Sequence, residues 1–460
     1  MRDDAELGRI LTTWLREGAS SAGAERVLGM ALGRVAESPQ DRRRLWPLVE
    51  GRHRPRAVRM AIIVVLALIA VLAVVLVGSQ RNTPTPVREP FSAGPALSEF
   101  RAEHTATVLQ DGGVLVVGGY GRDAFSSAEL LEPGGTSFRA AGSLRAARFG
   151  HTATLLPDGR VLIVGGEGGS VLDTAEIWDP ATEAFVPTGQ LATARRGHTA
   201  SLLPDGRVLV VGGQDASPVH APVAAAEIWD PATGRFASAG STATPLTAHA
   251  AVRLEDGRVL IVGGDAGPCV APGGQLWDPV TQSFSPVVEL GVPRLHATAT
   301  GTLDGQILVI GGVDPKASQP NQSPVMVDDA VLWDPTSGVA SPAGRLNASR
   351  WYHTATPLRD GRVLAVGGAS SGPTAEVWDP STRSFAAAGS LPYSRYPHTA
   401  AILPDGHVLL SGSWDQVWDP AVSLPVPLPS EAIQSPGATQ TPPPRPVAGG
   451  SVPPPDVCEP

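Results

Sequence analysis

The stretch HTATLLPDGRVLIVGG, residues 151–166, decides the fold of this 460-residue chain. It starts with alternating residues, passes through Asp-Gly, and ends as an apolar run closed by two glycines. Asp-Gly between two such runs is a strong signal for a β-hairpin. The same histidine, aspartate and glycine pair could also belong to a catalytic or phosphate-binding site. Repetition along the chain decides between these two interpretations.

The chain contains six further copies of this stretch, each followed by Trp-Asp-Pro or, in the first, by Leu-Glu-Pro. The copies are HTATVLQDGGVLVVGG (104–119), HTASLLPDGRVLVVGG (198–213), HAAVRLEDGRVLIVGG (249–264), HATATGTLDGQILVIGG (296–312), HTATPLRDGRVLAVGG (353–368) and HTAAILPDGHVLLSGS (398–413). A repeat of 45 to 57 residues with four short apolar segments predicts the blades of a β-propeller.

Each unit predicts four antiparallel strands. In the second unit strand a is HTATLL, strand b is RVLIV, strand c is AEIWD and strand d is AFVPTG. The proline after AEIWD ends strand c, because proline cannot pair within a central strand. The sequence therefore predicts an all-β fold, a seven-bladed propeller over residues 87–425.

The first segment of this region predicts how the ring closes. Phe91, Leu97 and Arg101 precede His104 by 13, seven and three residues, the same spacing that leads from strand d into the next unit elsewhere. The segment after Trp418 lacks such a phenylalanine. We therefore expect residues near Phe91 to form strand d of the seventh blade, which removes the exposed edges of an open ring.

The glycine pair after an apolar strand, the Trp-Asp-Pro unit and the Arg-x-x-His-Thr motif resemble kelch repeats. This resemblance implies a propeller like the central domain of galactose oxidase. The copper site of that family, as the resemblance implies it, needs two histidines and two tyrosines, one of them crosslinked to cysteine. Cys269 has no tyrosine beside it in sequence, which leaves pairing in space open, and no GxSxG, HExxH or DxDxDG motif appears. We therefore predict no cofactor and no enzymatic activity. The four tyrosines are Tyr120, Tyr352, Tyr393 and Tyr396.

The recurring polar residues are interpreted as structural. Seven near-equivalent histidines argue against a single catalytic constellation, although the spacing from His296 to Asp304 is one residue longer than in the other units. The arginines that precede strand a and the glutamates of strand c are expected to pair in the interior. The glycine pairs open onto loops rather than a helix, which argues against nucleotide binding. The histidines are His104, His151, His198, His249, His296, His353 and His398; the arginines are Arg101, Arg148, Arg195, Arg294, Arg350 and Arg395; the glutamates are Glu129, Glu176, Glu227 and Glu376.

The b–c loops are the predicted binding surface. The a–b and c–d turns are nearly uniform among the copies, whereas the b–c loops vary widely, and variable loops on a rigid frame are where binding is usually built. The alternative is that these loops vary because nothing constrains them. The candidate binding residues are Tyr120, Glu167, Gln214, Asp215, His220, Asp265, Asp314 and Asp328.

An apolar run precedes the repeats. MAIIVVLALIAVLAVVLV, residues 60–77, contains no charge and predicts a transmembrane helix over residues 60–78. Arginines crowd the segment before this run, which places the N-terminus in the cytoplasm and the propeller outside. We expect a helical cytoplasmic segment at 1–59, a linker at 79–86 and a Pro-rich disordered tail at 426–460. The arginines before the run are Arg42, Arg43, Arg44, Arg52, Arg54, Arg56 and Arg59, against Arg81 and Arg88 after it.

The sequence thus predicts a single-pass membrane protein whose extracytoplasmic propeller is a non-catalytic binding module for a protein or a glycan. One alternative is a transducer that couples ligand binding outside to a cytoplasmic partner. Another is a copper oxidase. The net charge of −9 argues against nucleic acid as a partner. In an oxidising compartment, Cys269 and Cys458 could form one disulfide.

Overall fold

A computed structural model describes residues 89–264, 273–285, 288–291, 293–317, 324–370, 374–392, 397–412 and 415–422. These residues form seven four-stranded antiparallel sheets, which confirms the all-β, seven-bladed propeller. The segments 1–59, 60–78, 79–86 and 426–460 lie outside the described residues. None of the described residues belongs to a helix that could span a bilayer. The predicted membrane helix, cytoplasmic segment, linker and tail stay predictions.

In each blade the two inner strands, a and b, lie nearest the axis of the propeller. The b strands are completely buried, as their unbroken Val, Leu and Ile runs predict. The a strands are Thr105–Val108, Thr152–Leu155, Thr199–Leu202, Ala250–Arg253, Thr298–Gly301, Thr354–Pro357 and Thr399–Ile402. The b strands are Val114–Val117, Val161–Val164, Val208–Val211, Val259–Val262, Ile307–Ile310, Val363–Val366 and Val408–Ser411.

Two outer strands complete each blade. The c strands are Ser127–Leu131, Thr174–Asp179, Val223–Asp230, Gly274–Asp278, Asp329–Trp333, Thr374–Asp379 and Gln416–Trp418. The d strands of blades 1 to 6 are Phe138–Ser143, Ala184–Gln190, Arg235–Leu246, Ser283–Phe284, Ala340–Arg345 and Ser384–Ser390. Two short pairs, Val313–Asp314 with Val325–Met326 and Arg350–Trp351 with Ala369–Ser370, extend blades 5 and 6.

The ring closes as the sequence predicts. The strand Phe91–Ala93 is strand d of blade 7, and Phe91 pairs with Trp418. The same register recurs inside the other blades, for example between Phe185 and Trp178. The first described strand and the last repeat therefore share one sheet, and no blade edge is left open at the closure.

The recurring tryptophan of strand c packs between neighbouring blades. Trp178 is 1% exposed, and its indole N–H donates to the carbonyl oxygen of Ala141 on strand d of the preceding blade at 3.0 Å. Trp418 makes the same bond to Ala388 at 3.1 Å. Each such tryptophan buries a large apolar surface, and all except Trp333 also satisfy the indole donor within the described residues, which fixes the distance between blades.

Histidine–threonine hydrogen bonds link the inner strands. The Nε2 atom of His151 lies 3.0 Å from the hydroxyl of Thr105 in the preceding blade. Six of the seven predicted histidines belong to this set, but His296 does not. Ala297 occupies the structural position in blade 5, and Ala250 replaces the threonine it would face, so this link is absent from both sides. The other pairs are His104–Thr399, His198–Thr152, His249–Thr199, His353–Thr298 and His398–Thr354.

Buried arginines link neighbouring blades at the described positions, as predicted, while Arg395 lies outside the described residues. The Nη1 atom of Arg148 donates to the carbonyl oxygens of Gly165 at 2.8 Å and Thr174 at 3.0 Å, and its Nη2 atom donates to Glu176 at 2.7 Å. The carbonyl oxygen of Arg148 accepts from Gly119 of the preceding blade at 2.8 Å. The other described pairs are Arg101–Glu129, Arg195–Glu227, Arg294–Asp329 and Arg350–Glu376, whereas blade 4 has Leu246 and Gln275 at these positions.

The missing link between blades 4 and 5 can be rebuilt. The Cβ of Ala297 lies against Gly312 as the Cβ of His151 lies against Gly166, so histidine fits this backbone position. We expect A297H alone to destabilise the full chain by about 1–3 kcal/mol, because its buried Nε2 lacks a partner. Adding A250T should recover about 1 kcal/mol through the new hydrogen bond. Chemical denaturation of both single variants and the double variant measures this coupling, and additive effects would contradict the assigned role.

The histidine links predict acid sensitivity. Burial, aided by Arg148, lowers the pKa of His151 to about 3, and burial, aided by Arg101, lowers that of His104 to about 4. In the unfolded chain, histidine binds a proton near pH 6.5. The contribution of these histidines to the free energy of unfolding is therefore fully present above about pH 6.5. It falls as the pH drops towards the folded pKa values, because the unfolded state binds more protons.

We expect a loss of about 1 kcal/mol per linked histidine over the first pH unit below 6.5. Chemical denaturation between pH 7.5 and 5 measures the slope of the unfolding free energy against pH. H151Q should reduce this slope by the contribution of one bound proton. L303Q, at an exposed side chain of an a–b turn that carries no titratable group, is the control and should leave the slope unchanged. Equal slopes for H151Q and the parent chain would show that this histidine is not the source.

Candidate functional site

The b–c loops begin at the same face on which the a strands begin, here called the axial face. In several blades the residue after the glycine pair bridges to the residue two before the inner histidine: Tyr120 to Ala102, Glu167 to Phe149, and Gln214 to Arg196. No residue with a side chain can replace the glycines that precede these bridges. At Gly165 the φ angle is +60°, and an added Cβ would lie 2.5 Å from the carbonyl oxygen of Arg195. Three predicted binding residues thus lie on the inner rim of the propeller.

The remaining predicted binding residues lie farther out or elsewhere. Asp215 accepts from Ser217 and from the backbone N–H of Ala221, and His220 lies 3.3 Å from the Asp215 carbonyl oxygen. These contacts stabilise their own loop. Asp314 caps the next residues of its loop, Asp328 pairs with Arg345 at 3.2 Å on the outer part of blade 5, and Asp265 lies outside the described residues.

Closer to the axis lie seven residues, one from each blade, and four backbone hydrogen bonds join six of them to a neighbour in the next blade. Each of these residues immediately precedes the inner histidine, or Ala297 in blade 5, and we call the set the inner ring. The N–H of Gly150 donates to Glu103 at 3.0 Å, and that of Gly197 donates to Gly150 at 2.8 Å. Across the ring, His296 donates to Ala248 at 2.9 Å, and Tyr352 donates to His296 at 3.3 Å. The inner ring comprises Glu103, Gly150, Gly197, Ala248, His296, Tyr352 and Pro397.

The inner ring has a left-handed backbone. The φ angles are +49° at Glu103, +54° at His296 and +56° at Tyr352, close to +60° at Gly150 and +59° at Gly197. Residues with a Cβ pay about 1–2 kcal/mol in this conformation, and glycine does not. Non-glycine residues held in this region cluster at functional sites. The glutamate, histidine and tyrosine of the inner ring are therefore candidates for function.

Three aromatic rings meet on one side of the inner ring. The ring centroids of His296 and Tyr352 are 3.6 Å apart with a 32° angle between planes, and Trp351 lies 4.7 Å from Tyr352. All three side chains are half-buried. Burial lowers the pKa of His296 to about 4, so the imidazole is neutral at pH 7. This group offers a broad apolar face with a hydroxyl and an imidazole at its edges.

A charged group lies on the other side. Arg196 pairs with Glu167, and its guanidinium lies 5.5 Å above the ring of Phe149. The Glu103 carboxylate lies over Gly150, where an added Cβ would be 3.2 Å from Oε2. Burial raises the pKa of Glu103, and Arg196 opposes this shift. Within the described residues the Glu103 carboxylate accepts no hydrogen bond.

Sequence reasoning missed most of this site. His296 was grouped with the structural histidines, and Glu103, Arg196, Trp351 and Tyr352 were not proposed as binding residues. One signal was present in the sequence. Aligned on the histidine, the preceding residue is glycine in two units and glutamate or tyrosine in two others.

A copper site of the kind implied by the galactose oxidase resemblance does not fit the described residues. No group of three or more His, Cys, Asp or Glu side chains among them could hold a metal. His353, next to Tyr352, is committed through Nε2 to Thr298 at 2.9 Å. His296 and Tyr352 supply one histidine and one tyrosine, while Cys269, Tyr393 and Tyr396 lie outside the described residues.

Comparison with solved structures places the fold among known propellers. The chain is similar to a fungal alcohol oxidase of the AA5 family, solved in complex with copper, with 18% identity, a TM-score of 0.57, and coverage of 72% of this chain and 76% of that one. It is also similar to YjhT, with 18% identity, a TM-score of 0.49, and coverage of 63% and 96%. No protein-family model and no curated protein matches the sequence.

The prediction that the chain is not an enzyme is wrong as it stood. A structural neighbour of similar extent is a copper alcohol oxidase, so this architecture supports catalysis. At 18% identity the likeness shows the fold alone, and fold does not supply a reaction. The axial face is therefore described by the chemistry of its own residues.

The separation of His296 from the structural histidines can be tested by chemical modification. Diethyl pyrocarbonate modifies neutral imidazoles that solvent reaches. We expect His296 in the folded full chain to react several times faster than His151 and His198, which are 5% exposed and bonded to threonine. Peptide mass spectrometry over a time course measures this order, with half-exposed His407 as a positive control. Equal modification rates for His296 and His151 would show that His296 is as inaccessible as the structural histidines.

Proposed function

We propose that the axial face binds a glycan and that the propeller is the ligand-binding domain of a membrane-anchored protein outside the cytoplasm. The observation that carries the binding role is the meeting of an aromatic group and a charged group around one axis. The aromatic group is His296, Trp351 and Tyr352, and the charged group is Glu103 with the Arg196–Glu167 pair. The apolar run at 60–77 and the arginines before it support the anchoring.

The two groups match the two kinds of surface on a sugar. The C–H face of a pyranose packs on aromatic rings, while its hydroxyls exchange hydrogen bonds with carboxylate and guanidinium groups. Binding sites generally combine aromatic walls with a few placed polar groups in this way. A bound saccharide could also be a substrate, since a related architecture serves an oxidase.

Binding can be measured with the labelled full chain in detergent on an array of defined oligosaccharides and peptides. We expect retention on saccharides, and W351A should weaken it about tenfold or more, because stacking surface is lost. L303A is the matched control, since Leu303 is 76% exposed on an a–b turn at the opposite face. Thermal unfolding of each variant confirms that it is folded.

Two results would contradict glycan binding at this face. Retention on peptides alone would assign a protein ligand instead. Equal saccharide binding by W351A and L303A would place the binding surface elsewhere.

A further inference from the structure

The residues of the inner ring indicate which ligand the axial face selects, and not only that it binds one. We infer that Glu103, His296 and Tyr352 determine the specificity of the axial face, and that Glu103 selects a saccharide carrying a protonated amine. This inference rests on the proposed binding of a glycan. It follows from the backbone of the inner ring, from the register of blade 5 and from the charges at the axial face.

The fold does not require large side chains in the inner ring. Gly150 and Gly197 make the same ring of backbone bonds with glycine, at 3.0 and 2.8 Å. Glutamate, histidine and tyrosine occupy the same left-handed conformation at Glu103, His296 and Tyr352. Each pays a conformational cost that glycine avoids. Residues kept where the backbone disfavours them and the fold gains nothing are candidates for ligand contact.

In blade 5 a structural hydrogen bond is also given up for a side chain in the inner ring, here through a shift in the register of strand a. A one-residue shift moves His296 into the inner ring and leaves Ala297 at the structural position. The partner position in blade 4 is Ala250 instead of threonine. The propeller therefore lacks one of its histidine–threonine links at the place where the inner ring holds an imidazole stacked on Tyr352.

Small residues separate the two functional groups. The inner-ring positions between Glu103 and His296 are Gly150, Gly197 and Ala248, and an added Cβ at Gly197 would meet no atom within 4 Å. Gly197 is also exposed. A sugar ring over these residues would face the aromatic pair on one side and the Glu103 carboxylate on the other.

The charge of the axial face favours an amine over a hydroxyl at Glu103. The Arg196 guanidinium is engaged by Glu167, and Glu103 accepts no hydrogen bond within the described residues. A protonated amine would both donate hydrogen bonds to this carboxylate and neutralise it, and an ammonium also binds well beside aromatic rings. The described b–c loops carry carboxylates at Asp123, Glu167, Asp173, Asp215, Asp314, Asp328 and Asp415 against cations at Arg122 and Lys316, and the balance stays negative when Arg196 and Arg345, the partners of Glu167 and Asp328, are counted.

The test compares three hexasaccharides that differ in the 2-substituent: the hexamers of glucosamine, N-acetylglucosamine and glucose. Titration calorimetry of the full chain in detergent, at about pH 6 where the amine is charged, should give at least tenfold tighter binding of the glucosamine hexamer. E103Q should remove this preference by weakening the glucosamine hexamer alone. E255Q, at an exposed carboxylate on the opposite face, should keep it.

A stability measurement separates ligand contact from a structural role. E103G and H296G should raise the midpoint of thermal unfolding, because glycine relieves the left-handed backbone, and both should reduce saccharide binding. Q282G, at an exposed c–d turn on the opposite face with the same left-handed conformation, should raise the midpoint without reducing binding. A lower midpoint for both E103G and H296G would assign these side chains to the scaffold and overturn the inference.

The outcomes distinguish this inference from the proposed function. Equal affinity for the three hexamers, with loss in W351A, would overturn amine selection and leave glycan binding intact. A preference for the glucosamine hexamer that survives E103Q would remove Glu103 from its role. Binding of basic peptides but of no hexamer would overturn both proposals.

Discussion

Every blade of this propeller depends on hydrogen bonding at the end of its buried b strand. In blades 1 to 6 the strand ends in a left-handed glycine pair whose peptide groups turn inside the protein, where each unpaired group would cost free energy. The arginine that precedes strand a solves this problem for two blades at once. The side chain of Arg148 binds the Gly165 carbonyl in its own blade, while its main-chain carbonyl accepts from Gly119 in the blade before.

This arrangement explains why charged residues can be buried repeatedly without forming an active site. The guanidinium of Arg148 is completely buried, and Glu176 both neutralises it and accepts from the backbone N–H of Arg145 at 3.0 Å. Burial lowers the pKa of Arg148, and the hydrogen-bonded Glu176 counteracts this shift within a satisfied network. The repeated polar residues thus set the distance and register between blades. The fold does not depend on the side chain of the residue just before each inner histidine.

The sequence predicted the frame far better than the site. The Asp-Gly turns, the apolar b strands and the spacing of Phe91 from His104 are local or periodic signals, and all of them correspond to observed strands and pairings. The inner ring escaped prediction because its left-handed backbone is set by bonds between blades, such as that from His296 to Ala248. The extra residue between His296 and Asp304 was visible, but its meaning depends on which neighbouring position faces the axis.

Blades 4 and 5 show how a repeat frame tolerates a local departure. At Leu246 the backbone carbonyl still accepts from Gly213 at 2.8 Å, although the guanidinium and its glutamate are replaced by leucine and Gln275. At Ala297 the histidine and its threonine are lost together, so no buried nitrogen or hydroxyl is left without a partner at this link. Removing both partners of a buried hydrogen bond costs far less than removing one. Paired replacement therefore lets a single blade change register, and the imidazole released from the interior becomes available at the axial face.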